Sequence, residues 1–128
     1  MGYRNRVVGK QGENIAARFL ARKGYKIIGR NIKTFVGEVD IVARKKPFIV
    51  FVEVKTRKNE SFGPPYLSIT EKKKRKLVQC ALCYLKMKGL TDVLWRIDVI
   101  SIEIKNIFWF IKKIKIERFE DVVEAEWG

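Results

Sequence analysis

Two strand-like runs joined by a short basic turn constrain this chain most. Gly37-Glu38-Val39-Asp40-Ile41-Val42-Ala43 and Phe48-Ile49-Val50-Phe51-Val52-Glu53-Val54-Lys55-Thr56 are rich in Val, Ile and Phe. Between them lies Arg44-Lys45-Lys46-Pro47, which reads as a hairpin turn. Alternate residues of a strand share a face. Val50, Val52 and Val54 therefore point one way, and Phe51, Glu53 and Lys55 the other. On the first run Val39 and Ile41 share a face, with Glu38 and Asp40 opposite. A turn centred near Lys45-Lys46 sets Asp40 roughly across from Phe51, and Glu38 across from Glu53. Asp40 and Glu53 are then diagonal neighbours, about 7–8 Å apart at Cα. Like charges that close repel, and a hard divalent cation with oxygen ligands resolves the conflict. A solvent-facing salt-bridge cluster on an edge hairpin is the other reading of the same residues.

The chain has 128 residues, enough for one domain with a real core and too few for two. No apolar run approaches the ~18 residues of a membrane span. The stretch from Met1 to Arg6 lacks the apolar core of a signal peptide. A cytoplasmic protein with no membrane partner is the expectation. The net charge of +14 is unevenly placed. Residues 117–128 carry five acids against Arg118 alone, a net of −4, which leaves +18 on the rest. A field of that size favours a polyanion, most simply nucleic acid. The absence of histidine removes the usual general base and any Ser-His-Asp triad. Cys80 and Cys83 lie in an apolar helical context and read as core thiols rather than a metal or redox pair.

The element order reads αβββαββ. A first helix runs from Val7 to Lys23 with Ile15, Ala16, Phe19 and Leu20 as its apolar stripe, and Gly24 stops it. Strands follow at Tyr25 to Ile32, Gly37 to Arg44 and Pro47 to Thr56. Residues 57–67 read as a loop broken by Gly63, Pro64 and Pro65. Ser68-Ile69-Thr70-Glu71 matches a capping box, which places the start of the second helix there and its end near Lys88. Leu94 to Ile104 and Phe108 to Glu117 read as a second hairpin around Lys105-Asn106. The expected architecture is α/β: a mixed central sheet of about five strands flanked by helices. The expected organisation is a single domain over residues 1–118, followed by a loosely ordered acidic tail over 119–128.

Asp40 and Glu53-Val54-Lys55 resemble the D…E-x-K core of the PD-(D/E)xK, or restriction-endonuclease-like, nuclease superfamily. The residue before Asp40 is Val39, not Pro, a departure that many members of the superfamily share. Around that core the chain resembles the small YraN-like proteins more closely. The matching pieces are Gly12-Glu13, Gly24-Tyr25, Asn31, Gly37 to Asp40, Phe51 to Arg57, Phe62-Gly63-Pro64 and Arg96-Ile97-Asp98-Val99. The layout is also similar to archaeal Holliday-junction resolvases, which makes a homodimer with two sites an expectation. The resemblance implies Mg²⁺ or Mn²⁺ held by Asp40, Glu53 and the Val54 carbonyl, with Glu13 as a helix-borne acid that aids metal binding. Lys55 would orient a water or stabilise charge developing on the phosphate. Glu38 and Gln79 are further candidates for the site. Asp98 reads as a structural partner of Arg96.

Lys72-Lys73-Lys74-Arg75-Lys76 fills the first turns of the second helix. Cations there oppose the helix dipole, by roughly 0.3–1 kcal/mol each when exposed. Bound phosphates would satisfy both the side chains and the free N–H groups. Lys72, Lys73, Arg75 and Lys76, with Arg57 and Lys58 after the E-x-K, are therefore the candidate nucleic-acid contacts; a merely solvated basic face is the plain alternative. Phe108, Trp109 and Phe110 read as core or dimer surface. The function these readings imply is a metal-dependent endonuclease acting on DNA, branched or structured DNA included. The alternatives are a non-catalytic nucleic-acid-binding module and a protein-interaction subunit that keep the fold.

Overall fold

A computed structural model describes residues 2–58 and 69–123, with side chains from residue 7 onward. Its elements are α1 (Gly2–Arg22), β1 (Lys26–Lys33), β2 (Glu38–Lys45), β3 (Phe48–Lys58), α2 (Glu71–Met87), β4 (Leu94–Phe108) and β5 (Ile111–Phe119). The order αβββαββ is the one expected. The strands form one mixed sheet in sequence order, β1-β2-β3-β4-β5. β3 and β4 are parallel and the other neighbours antiparallel. A parallel pair needs a long crossover, and the chain segment containing α2 supplies it. Among the described residues no helix is long and apolar enough to cross a membrane.

The two helices cover opposite faces. Alternation along β3 and β4 builds two separate cores. Ile49 and Phe51 pack with Ile97 and Val99 under Leu77, Val78, Ala81 and Tyr84 of α2. Val50 and Val52 pack with Ile100 and Ile102 under Ala16 and Leu20 of α1. Phe51 meets Tyr84 and Trp95 edge-on, at centroid distances of 5.6 and 6.0 Å. Cys80 is a buried member of the α2-side core, and both cysteines are free thiols.

Several boundaries differ from expectation, each for a local reason. α2 starts at Glu71, because the Thr70 hydroxyl accepts the Lys73 N–H as N-cap. Ser68 itself and the Phe62-Gly63-Pro64 motif lie outside the described residues. The last hairpin turns at Trp109-Phe110, later than Lys105-Asn106, so β4 is longer, β5 starts and ends later, and the aromatics, read as core or dimer surface, sit at an exposed tip. Residues 119–123, expected within the tail, pack onto the fold. Val122 and Val123 join the α2-side core, and Asp98 accepts the Asp121 N–H at 2.9 Å. Asp98 is fully buried and bonded to Arg96, which also donates to the Tyr25 hydroxyl. The structural role read for Asp98 holds.

Gly12 lets α1 lie close on β3. A Cβ there would run into the Thr56 side chain. Glycine in a helix ordinarily costs about 1 kcal/mol relative to alanine. Here the sign reverses: Gly12→Ala is expected to destabilise the protein by about 1–3 kcal/mol through overpacking. Adding Thr56→Ala should recover part of the loss. Urea denaturation of the single and double variants checks this, and a stabilised Gly12→Ala would show that the two elements are not in contact.

Candidate functional site

The acid cluster forms where β2 leaves β3. Lys45 pairs with Phe48, so the turn centres on Lys46-Pro47 and the register differs from the expected one by two residues. Main-chain pairing ends at Ile41–Val52. Continued by one residue, it sets Asp40 directly across from Glu53 rather than on the diagonal. Beyond this rung the Asp40 carboxylate takes the place of the ladder, with its Oδ2 accepting the Val54 N–H at 2.8 Å. The alternation of β2 breaks at the same point. Val39 belongs to the α2-side core and Ile41 to the α1-side core, so they do not share a face as expected.

The Asp40 and Glu53 carboxyls lie close enough to raise the energy of ionising both. Burial, then the charge of Glu53, pushes the Asp40 carboxyl up to about 7, against the Val54 N–H, which favours ionisation. The charge of Glu13 adds to the rise. Glu53 is buried, and two ammonium groups converge on its Oε2: Lys55 Nζ at 3.4 Å and Lys73 Nζ at 3.2 Å. Lys55 comes from the same face of β3, two residues on, as the alternation requires. Lys73 comes from the first turn of α2, held there by the Thr70 cap.

Glu13 is buried on α1 but anchored elsewhere. Its Oε1 accepts Arg30 Nε at 3.2 Å, Arg30 Nη2 at 3.0 Å and Asn31 Nδ2 at 2.8 Å. Asn31 reaches it from a left-handed backbone conformation, φ 51°, which asparagine tolerates. Among the described residues no three or more Asp, Glu, Cys or His side chains close on one point as an ion-holding group. Glu13 therefore adds charge near Asp40 without joining the Asp40–Glu53 pair. The pair itself suits a hard divalent cation. It consists of oxygen donors, it carries mutual repulsion that a cation would relieve, and Mg²⁺ completes such sparse sets with water. The Val54 carbonyl belongs to the residue whose N–H already fixes Asp40.

The remaining candidates are more dispersed. Glu38 is exposed across from Lys33. Gln79 is exposed and lines a surface groove with Thr70, Lys72, Lys73, Arg75 and Lys76, rather than reaching the acids. Lys72, Arg75 and Lys76 are exposed there, whereas Lys74 is buried against the sheet. Gly37 seats the β1–β2 turn beside this groove, since a Cβ on it would meet Cys80 and Lys76 of α2. The turn presents Phe35 to solvent. Arg57 and Lys58 lie at the end of β3, not in a loop. Sequence reasoning read Lys73 only as a phosphate contact and did not pair it with Glu53. It also missed Arg30 as the partner of Glu13. Neither pairing has a local signal, because each joins elements far apart in the chain.

Relatives agree with the YraN-like resemblance. The model of the uncharacterised protein family UPF0102 matches residues 12–102, which include Glu13, Asp40, Glu53 and Lys55. A UPF0102 protein of Desulfosudis oleivorans is 50% identical over 95 residues, covering 74% of this chain and 77% of that protein. One from Geobacter sulfurreducens is 47% identical over 102 residues, 80% of each chain. One from Caldanaerobacter subterraneus is 36% identical over 120 residues, 94% of each. The chain belongs to the uncharacterised protein family UPF0102, the YraN family.

Proposed function

We propose that the protein is a metal-dependent endonuclease that hydrolyses DNA phosphodiester bonds. The observation that carries this reading is the Asp40–Glu53 carboxyl pair where β2 parts from β3, with Lys55 and Lys73 on the same Glu53 oxygen. Asp40, Glu53 and the Val54 carbonyl would hold Mg²⁺ or Mn²⁺. When bound, the metal would polarise the scissile phosphate and lower the pKa of a water. Lys55 would then turn from Glu53 toward the phosphate and stabilise the charge that develops on it. The Val54 N–H keeps Asp40 oriented throughout. Glu13, tied to Arg30 and Asn31, adds negative potential without ligating. A homodimer would bring two such sites to one branched substrate.

The basic groove on α2 would bind the backbone rather than read bases. It presents charge and no pattern of side chains suited to base edges. Lys73 is committed to Glu53, so the test falls on its neighbours. Lys72→Ala with Arg75→Ala is expected to weaken DNA binding regardless of sequence and to lower the salt slope by roughly 1.8, about 0.9 per lost phosphate contact. An unchanged slope would remove these residues from the interface.

One observation favours a second reading, a nucleic-acid-binding module without catalysis: Glu53 is already compensated by two lysines. The experiment that separates the two is a cleavage panel of single-stranded, duplex, flap and four-way-junction DNA. Cutting in Mg²⁺ or Mn²⁺ that stops with chelator is the result expected. Binding without any cutting across the panel would favour the module.

A further inference from the structure

The β4–β5 hairpin outruns the rest of the sheet. β3 ends at Lys58, paired with Ile104, while β4 continues to Phe108. Beyond that rung, among the described residues, the two strands continue as a two-stranded ribbon, with pairs at Lys105–Lys113, Asn106–Lys112 and Phe108–Ile111. Its tip is aromatic and bare. Trp109 is 93% exposed, with Phe108 and Phe110 exposed on either side. The three rings order one another. Phe108 and Phe110 stack at 6.2 Å and 17°, and Trp109 meets Phe110 edge-on at 4.8 Å. A contiguous apolar patch on an otherwise charged surface marks an interaction site.

Charge identifies the partner. The ribbon below the tip carries Lys105, Lys112, Lys113 and Lys115 on exposed positions. Lys105 and Lys115 are paired with Glu103 and Glu117. Lys112 and Lys113 make no ion pair among the described residues. Lys112, one pair below the tip, shares a groove of about 200 Å³ with Gln11, Asn14 and Arg18 of α1. Three lysines along the β5 edge disfavour strand-to-strand pairing with a second copy. Aromatic rings flanked by cations suit a polymer with phosphates outside and flat rings inside. Proteins stack aromatics on exposed bases and wedge apolar side chains between base steps in this way.

The ribbon also points the right way. Glu53 pairs with Val99, and Trp109 lies ten residues further along the chain. At about 3.3 Å per residue the tip stands roughly 33 Å beyond the acid pair. That is about ten base-pair steps at roughly 3.4 Å, so one nucleic acid can reach both.

We propose that Phe108, Trp109 and Phe110 form a wedge that stacks on unpaired or unstacked bases, while Lys112 and Lys113 hold the adjoining phosphates. The proposal rests on the nucleic-acid part of the reading above and not on cleavage. It makes DNA with exposed bases the preferred partner and gives the fold a means to recognise a distorted site.

The test uses Trp109 as its own reporter, in a protein carrying Trp95→Phe and Trp127→Phe. The probes are an oligothymidylate strand, a blunt duplex and vesicles of phosphatidylserine with phosphatidylcholine, all without metal. Quenching of Trp109 by the single strand, and much less by the duplex, is the result expected. In the otherwise native chain, Trp109→Ala with Phe110→Ala should weaken single-strand binding about tenfold or more, as lost base stacking does. Both side chains are exposed, so the fold should survive their loss. Unchanged emission with both DNAs, or equal affinity of the double variant, overturns the wedge. So does a blue shift with the vesicles alone, which would indicate a membrane surface, or a shift that disappears on dilution without any probe, which would indicate a second copy. Cleavage is scored separately in Mn²⁺. Quenching without cutting keeps the wedge and removes the nuclease; cutting that the double variant matches, with unchanged binding, does the reverse.

Discussion

Lys55→Ala is expected to lower Mn²⁺-dependent DNA cleavage by about 10²–10³-fold, the usual effect of removing one group that stabilises transition-state charge. Binding should change little. Lys55 is one cation among many on a chain of net charge +14, and each phosphate contact contributes modestly to the whole. The fold should tolerate the change as well. Lys55 is partly exposed, and its ammonium shares Glu53 Oε2 with Lys73, which remains at 3.2 Å. Glu53 therefore keeps one compensating charge in the variant. Rates on a flap or junction substrate, with binding by anisotropy in chelator, separate the two effects. Equal cleavage by variant and wild type would show that the cutting centre lies elsewhere. A parallel loss of binding and cutting would make Lys55 a phosphate anchor only.

Asp40→Asn is expected to raise the stability of the metal-free protein at pH 8. The wild-type carboxyl has a folded pKa near 7, raised from 3.8 by burial and then by Glu53. The folded state thus holds a proton that the unfolded state releases between about pH 4 and pH 7, so stability falls as pH rises through that window. The ionised form above pH 7 carries the full penalty, on the order of 4 kcal/mol for a shift of about three pKa units. Asparagine keeps the shape and an oxygen to accept the Val54 N–H. Its amide can also donate to Glu53, as a protonated acid can. The advantage of Asn should therefore shrink toward zero as pH falls to about 4, where the wild-type acid is protonated in the folded state. Thermal melts of both proteins in chelator, at several pH values, give the comparison. A destabilised Asp40→Asn at pH 8 would mean that Asp40 forms a favourable ion pair, the salt-bridge alternative.

Elements came through in the sequence where a pattern was local. The αβββαββ order, the Gly24 stop and the apolar stripe of α1 follow from periodicity and glycine chemistry over a few residues. The acids of the site were equally visible, because carboxylates inside aliphatic strand runs stand out. What failed depended on partners far away in the chain. The register of β2 against β3 depends on which residues make the turn, and a shift of the turn by one residue moves the pairing by two. The breakdown of alternation at Asp40 follows from its carboxylate replacing a ladder bond, which no period can encode. Lys73 was read as a DNA contact because the run around it is basic. Only the packing of α2 over β3 brings it to Glu53. The end of β4 was drawn too early because Lys105-Asn106 resembles a turn, yet the strand continues as an exposed ribbon for which burial gives no signal.

If Asp40 and Glu53 hold a divalent cation as proposed, Mn²⁺ should bind the wild type much more tightly than Asp40→Asn. Titration calorimetry at pH 8, without nucleic acid, is the measurement. Saturable Mn²⁺ binding to the wild type is expected, weakened at least about tenfold in Asp40→Asn. Saturating Mn²⁺ should then raise the wild-type melting temperature by roughly 10 °C at a hundred times the dissociation constant, and that of the variant far less. The same heat and the same melting shift in both proteins, or none in the wild type, would contradict the proposed metal centre.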